Sequence, residues 1–71
     1  MFKFKFGTDV VVEEIARGVI VGRNSTAVGN IYVVKLDQAD QQFAPDGFLP
    51  VSESDLREPA YPDELKRNIR M

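Results

Sequence analysis

No apolar run in this chain outlasts a short strand, and turn-forming glycine, proline, asparagine and aspartate recur around these runs. The runs at residues 10–12, 19–21, 31–34 and 48–49 are rich in valine and isoleucine. Gly7-Thr8-Asp9, residues 22–30 and Pro45-Asp46-Gly47 stand between them. An amphipathic helix needs apolar positions recurring every three or four residues over ten or more. β-branched clusters set between turn residues instead read as strands of a small all-β domain.

On this basis Phe2, Phe4 and Phe6 lie on one face of a first strand, with Lys3 and Lys5 on the other. Strands follow at 10–14, 17–23 and 31–36. A bend falls at Ile15-Ala16, a turn-rich connection at 24–30 and a polar loop at 37–42. A short strand at 48–51 carries Pro50 and belongs at an edge. A 3₁₀ turn over 52–55 and a brief strand at 56–58 complete the order. The expected core is Val10, Val12, Val19, Val21, Ile31, Val33 and Leu56 with some of the phenylalanines. This order predicts a small SH3-like β-barrel of about five strands (five-stranded once the amino-terminal stripe is read as covering one mouth of the barrel) over residues 1–58, with an OB-like barrel as runner-up. Residues 59–71 form a tail, helical over 63–70 only if Tyr61, Leu65 and Ile69 dock.

Seventy-one residues make one domain at most. A chain this short gains from a disulfide, a metal or self-association. Cysteine and histidine are both absent, which removes disulfides, thiolate nucleophiles, the usual zinc ligands and Ser-His-Asp catalysis. Association with protein, itself or another, is the support that remains. Residues 6–65 hold all eleven acidic groups against four basic ones, a balance of −7. Such a body repels phosphate, so nucleic acid is an unfavourable partner. The start alternates instead of forming a signal-like apolar run, and no stretch is long enough to span a bilayer. A cytoplasmic setting is the expectation, and Asn24-Ser25-Thr26 reads as turn chemistry.

The remaining chemistry is sparse. Glu13 and Glu14, as strand neighbours, point to opposite faces and cannot converge. Asp37 and Asp40 read as solvated loop charge, and Gly18 and Gly22 as structural glycines. No catalytic residue, metal ligand or cofactor is expected. Tyr32, Phe43, Phe48 and Leu49 are the candidate binding residues. Phe2, Phe4, Phe6, Tyr61, Leu65 and Ile69 are the candidate self-association residues, because a lone barrel has trouble hiding them all.

Gly18-Val-Ile-Val-Gly22, a turn containing Thr26, Tyr32-Val-Val34, Pro50-Val51 and Leu56-Arg57 together resemble the plasmid-borne type II dihydrofolate reductases. Those are short SH3-like barrels associated with trimethoprim resistance. The resemblance spans residues 6–57 and rests on barrel-forming positions that many phage and plasmid proteins share, so it implies a mobile-element origin. In that family four protomers surround one pore that binds NADPH and dihydrofolate. A Val-Gln-Ile-Tyr run before the proline lines it. Here that run is Asp46-Gly47-Phe48-Leu49, and the family's pore lysine falls near Val12 or Glu13. The resemblance therefore implies the architecture more than the activity. A non-catalytic protein-binding or self-assembly module is the favoured function, and an oligomeric reductase-like protein with an altered pore is the alternative.

Overall fold

The structure, a computed structural model, describes residues 1–65. Five strands form one antiparallel sheet: β1 (Asp9–Val12), β2 (Ala16–Thr26), β3 (Gly29–Leu36), β4 (Phe48–Ser52) and β5 (Leu56–Arg57). Their spatial order is β4-β3-β2-β1-β5, so consecutive strands are neighbours until the last, which returns to lie beside β1. A 3₁₀ segment, Gln38–Phe43, links β3 to β4, and a single 3₁₀ turn, Glu53–Asp55, leads into β5. The chain is thus a small all-β fold, as its punctuated apolar runs predict.

Phe4, Val10, Val12, Ala16, Ile20, Tyr32, Val34, Leu36, Ala44, Val51 and Leu56 form one buried cluster. Residues from all five strands meet there, which a flat sheet cannot achieve; the sheet curls around them. Val10, Val12, Leu56 and Phe4 are inside as expected. In β2 and β3 the faces are reversed: Ile20, Tyr32, Val34 and Leu36 are buried, whereas Val19, Ile31 and Val33 are half-buried and Val21 is 44% exposed. Strand side chains alternate with period two, so a parity error moves a whole set to the other face. Gly18 contributes to the choice. A Cβ there would collide with the Lys35 carbonyl oxygen and lie 2.6 Å from Val34 Cγ1, so only glycine lets the two strands close over the core. At Val21 a bulge sets Val21 and Gly22 together against Val33, and regular pairing resumes at Arg23 and Tyr32.

Several boundaries differ from expectation for local reasons. Residues 1–6 are not a strand; they cross one end of the core as an irregular segment. β1 stops at Val12 because Glu13 and Glu14 both take positive φ (48° and 65°), and the Ile15 N–H closes the turn on the Val12 carbonyl at 3.0 Å. β2 runs on to Thr26, and the connection to β3 shrinks to Ala27-Val28. Thr26 holds this hairpin by donating its hydroxyl to the Gly29 carbonyl at 2.6 Å. Residues 38–43 wind into a 3₁₀ segment because Asp40 is drawn inward. Its Oδ2 accepts the Arg17 N–H at 2.9 Å, while the Asp37 N–H donates to the Arg17 carbonyl at 2.8 Å. A carboxylate here takes the acceptor's place just where β3 runs out. Residues 58–65 contain a turn and no helix; the rest of the expected helix, with Ile69, lies outside the described residues.

Candidate functional site

Three features of the described surface are organised enough to consider as sites. The first is the clasp around the amino-terminal segment. Tyr32 is fully buried on β3, and Phe2 and Phe4 approach its ring edge-on, with centroids 6.0 and 5.4 Å away. Its hydroxyl accepts the Lys3 and Phe4 backbone N–H groups at 2.9 and 3.2 Å and donates to Glu53 Oε2. The same carboxylate oxygen accepts the Asn30 amide at 3.0 Å and the Lys3 N–H at 3.1 Å, and Asn30 also reaches the Met1 carbonyl. The Tyr32 hydroxyl, the Asn30 amide and the Lys3 N–H together hold the Glu53 carboxyl down to about 2. A phenol with one donor and two acceptor positions all in use has nothing left for a substrate. A carboxylate ionised throughout the neutral range is a poor proton shuttle there. This pair fastens the segment.

The second feature fastens the other terminal segment. Arg17, buried on the outer face of β2, donates through Nη1 to the carbonyls of Pro62 and Glu64 at 2.8 and 2.6 Å, and its Nη2 lies 3.6 Å from Asp9. Arg57 of β5 stands between two carboxylates. It meets Glu14 through Nε and Nη2, both at 2.7 Å, and Glu64 through Nη1 at 2.8 Å and through Nη2. Arg57 and the Ala60 N–H hold the Glu64 carboxyl down to about 2. Arg57 also lowers Glu14, while Glu64 and Glu14 raise the guanidinium. Residues 58–64 are thereby strapped over β1, β2 and β5. Val11, whose side chain points away from the core cluster, is fully buried on that side.

The third feature is apolar. On the outer face of the sheet Val33 lies directly opposite Pro50, with the Val21-Gly22 bulge on its other flank; Phe48 follows on the same face of β4, beside Lys35. Phe48 is 45% exposed and Pro50 is exposed as well. The β4 edge next to this patch is short of donors. Gly47 gives its carbonyl to the Leu36 N–H, so alternation turns residues 48, 50 and 52 toward the open edge. The Phe48 N–H is taken by Asp46 Oδ1 at 3.0 Å, and Pro50 has none.

The expected site residues are dispersed. Of the binding set, Tyr32 is a core residue and not a surface one, since its hydroxyl finds partners that make burial affordable. Leu49 is half-buried against the core, and Phe43 and Phe48 are exposed. Of the self-association set, Phe4 is buried and offers no free surface, and Phe2 is half-buried against the core; Phe6 and Tyr61 are about 60% exposed, and Leu65 is half-buried. Among the described residues the amino-terminal segment docks on Tyr32, Asn30 and Glu53, and the carboxy-terminal one on Arg17 and Arg57. Pro50 and Val33 were missed as surface residues; the signal was the proline, which marks a strand's outward edge and leaves its neighbours exposed. Among the described residues no cluster of acidic side chains is arranged to hold a metal ion, and no helix is long and apolar enough to cross a membrane. No family model matches the chain, and no curated protein or solved structure matches it.

Proposed function

We propose that the chain is a non-catalytic protein-binding or self-assembly module on an SH3-like frame, and that it docks through the outer face of β2, β3 and β4. The observation that carries this reading is the apolar row of exposed Phe48, Pro50 and Val21 around half-buried Val33, beside an edge where two of the three outward positions, 48 and 50, offer no free N–H. The blocked edge matters because strand addition is the cheapest way for one sheet to recruit another. With Asp46 and Pro50 leaving only the Ser52 N–H on that edge, strand addition is disfavoured and side chains on the face are the better route. The return of β5 to β1 through a 3₁₀ turn is what favours the SH3-like frame over other five-stranded arrangements. Partners of this kind are proteins, a second copy included; the acidic body disfavours nucleic acid.

Light scattering and sedimentation at micromolar concentration test the reading. A species larger than 8 kDa, reduced to monomer by Phe48→Asp with the fold intact, is the expected result for self-assembly. A monomer whose Phe48 patch shows no contact with any protein of its host in crosslinking from that site overturns the proposal. Reductase chemistry forms no part of it. Gly47 and Leu49 bring no polar side chain to hold a nicotinamide or a pterin. With NADPH and dihydrofolate, turnover no faster than the enzyme-free control is expected.

A further inference from the structure

The three arginines within the described residues are used in different ways. Arg17 and Arg57 meet carboxylates. Arg23 meets none among the described residues. Its guanidinium carbon instead lies 4.6 Å from the ring centroids of both Phe2 and Phe6, and one Nη1–H reaches the Phe4 carbonyl at 3.2 Å. Two aromatic faces fix the plane of the guanidinium without neutralising it. Arg23 is exposed and lines an open cleft of about 650 Å³ together with Met1, Phe2, Lys5 and Phe6. Lys5 adds a second positive charge, and Glu53, which fastens this segment, engages Tyr32, Asn30 and Lys3 through Oε2 and not Arg23.

We propose that this cleft seats a carboxylate side chain of an acidic, partly apolar segment of a partner protein. A planar fork held in place matches a carboxylate through two parallel hydrogen bonds, and Phe2 and Phe6 supply apolar walls for the stem of the same residue. A polyanion fits poorly, because the body behind the cleft carries the acidic excess and repels a second and third phosphate. The inference goes beyond the proposed docking face, since it uses the opposite side of β2 and a different chemistry.

The test is an amide-resolved NMR titration of the full chain. The probe is a capped peptide of alternating glutamate and leucine, run beside its glutamine analogue, inorganic phosphate and oligothymidylate. The glutamate peptide is expected to shift Phe2, Lys5, Phe6 and Arg23, and the glutamine analogue to bind at least tenfold more weakly. Arg23→Lys keeps the charge but loses the planar fork and its bond to the Phe4 carbonyl; it should weaken the peptide at least tenfold while the amide shifts of β1 to β5 stay those of the parent. Should that variant prove unstable, Lys5→Gln, which leaves the stack intact, is expected to weaken binding about threefold. Equal binding of the glutamine analogue, full binding by Arg23→Lys, or tighter binding of phosphate or oligothymidylate overturns the proposal. So do shifts in the same residues that grow with protein concentration alone, which would give the cleft to a second copy. Phe48→Asp should leave the titration unchanged, so failure here and failure of the docking face are separate results.

Discussion

The two ends of the described chain are fastened by similar polar devices to very different effect. Each is held by a glutamate that accepts several donors, Glu53 at the amino-terminal segment and Glu64 at the carboxy-terminal one. The amino-terminal segment also drives Phe4 into the core, where it is 2% exposed, and packs Phe2 beside it. The carboxy-terminal strap sends no large side chain inward, and Tyr61 stays 59% exposed. A segment anchored by apolar burial belongs to the global folding unit, whereas one anchored by hydrogen bonds and exposed ion pairs opens on its own. Hydrogen bonds of the same kind therefore give different stabilities, depending on whether a ring lies beneath them.

The largest blow to this contrast should come from Phe4→Ala. Removing a buried phenylalanine costs about 3–5 kcal/mol, a large share of what a domain of this size has, so denaturant unfolding is expected to lose most of its midpoint. A variant that stays within about 1 kcal/mol of the parent would show that the amino-terminal segment is as dispensable as the tail. Next is Tyr32→Phe, which leaves the Phe4 N–H without its acceptor and the Lys3 N–H with Glu53 alone. The cost should be about 1–3 kcal/mol, with faster hydrogen exchange in residues 3 and 4.

Much of this arrangement was legible in the sequence, and the failures have physical causes. The all-β class, the runs that became β1 to β5, the edge position of Pro50 and the 3₁₀ turn before β5 could be read because glycine, proline and serine act through local backbone preference, whereas the expected strand at 2–6 is an irregular segment. The inward faces of β2 and β3 could not. Both carry β-branched residues, and the decision rests on where the Tyr32 hydroxyl finds Glu53 and on the contact of Gly18 with Lys35, partners remote in sequence. The Glu13-Glu14 turn was illegible for a related reason. Two non-glycine residues at positive φ oppose local preference and persist because Arg57 grips Glu14 and the Asp55 carbonyl accepts the Glu13 N–H at 2.9 Å. The Arg23 stack likewise needs three positions that only the folded chain assembles.

Acid should then separate the two ends. Both glutamates have folded-state values below their unfolded ones, so each contributes stability in full above about 4.5. That contribution is lost as the pH falls through about 2. Across this window the carboxy-terminal strap should release first, seen as protease cleavage within residues 58–65, while Phe4 keeps the amino-terminal segment in place. Simultaneous release would break the comparison. Glu64→Gln should reproduce the effect at neutral pH, with strap exchange rising and the unfolding midpoint moving less than for Tyr32→Phe. The smallest expected effect is a gain. Glu13 uses no side-chain hydrogen bond or ion pair among the described interactions, so Glu13→Gly should relieve about 1 kcal/mol of left-handed strain in thermal unfolding.

The pairing of β5 with β1 also sets the order of events in time. Val12 finds Leu56 and Val11 finds Arg57, contacts between the early and late parts of the chain, whereas β2, β3 and β4 meet through connections much nearer in sequence. Closing so long a loop costs entropy before any contact repays it, so the β2-β3-β4 meander forms first and β5 locks last. Arg57 cannot grip Glu14 until that happens, and the strap that Arg57 holds must therefore be the final piece to settle.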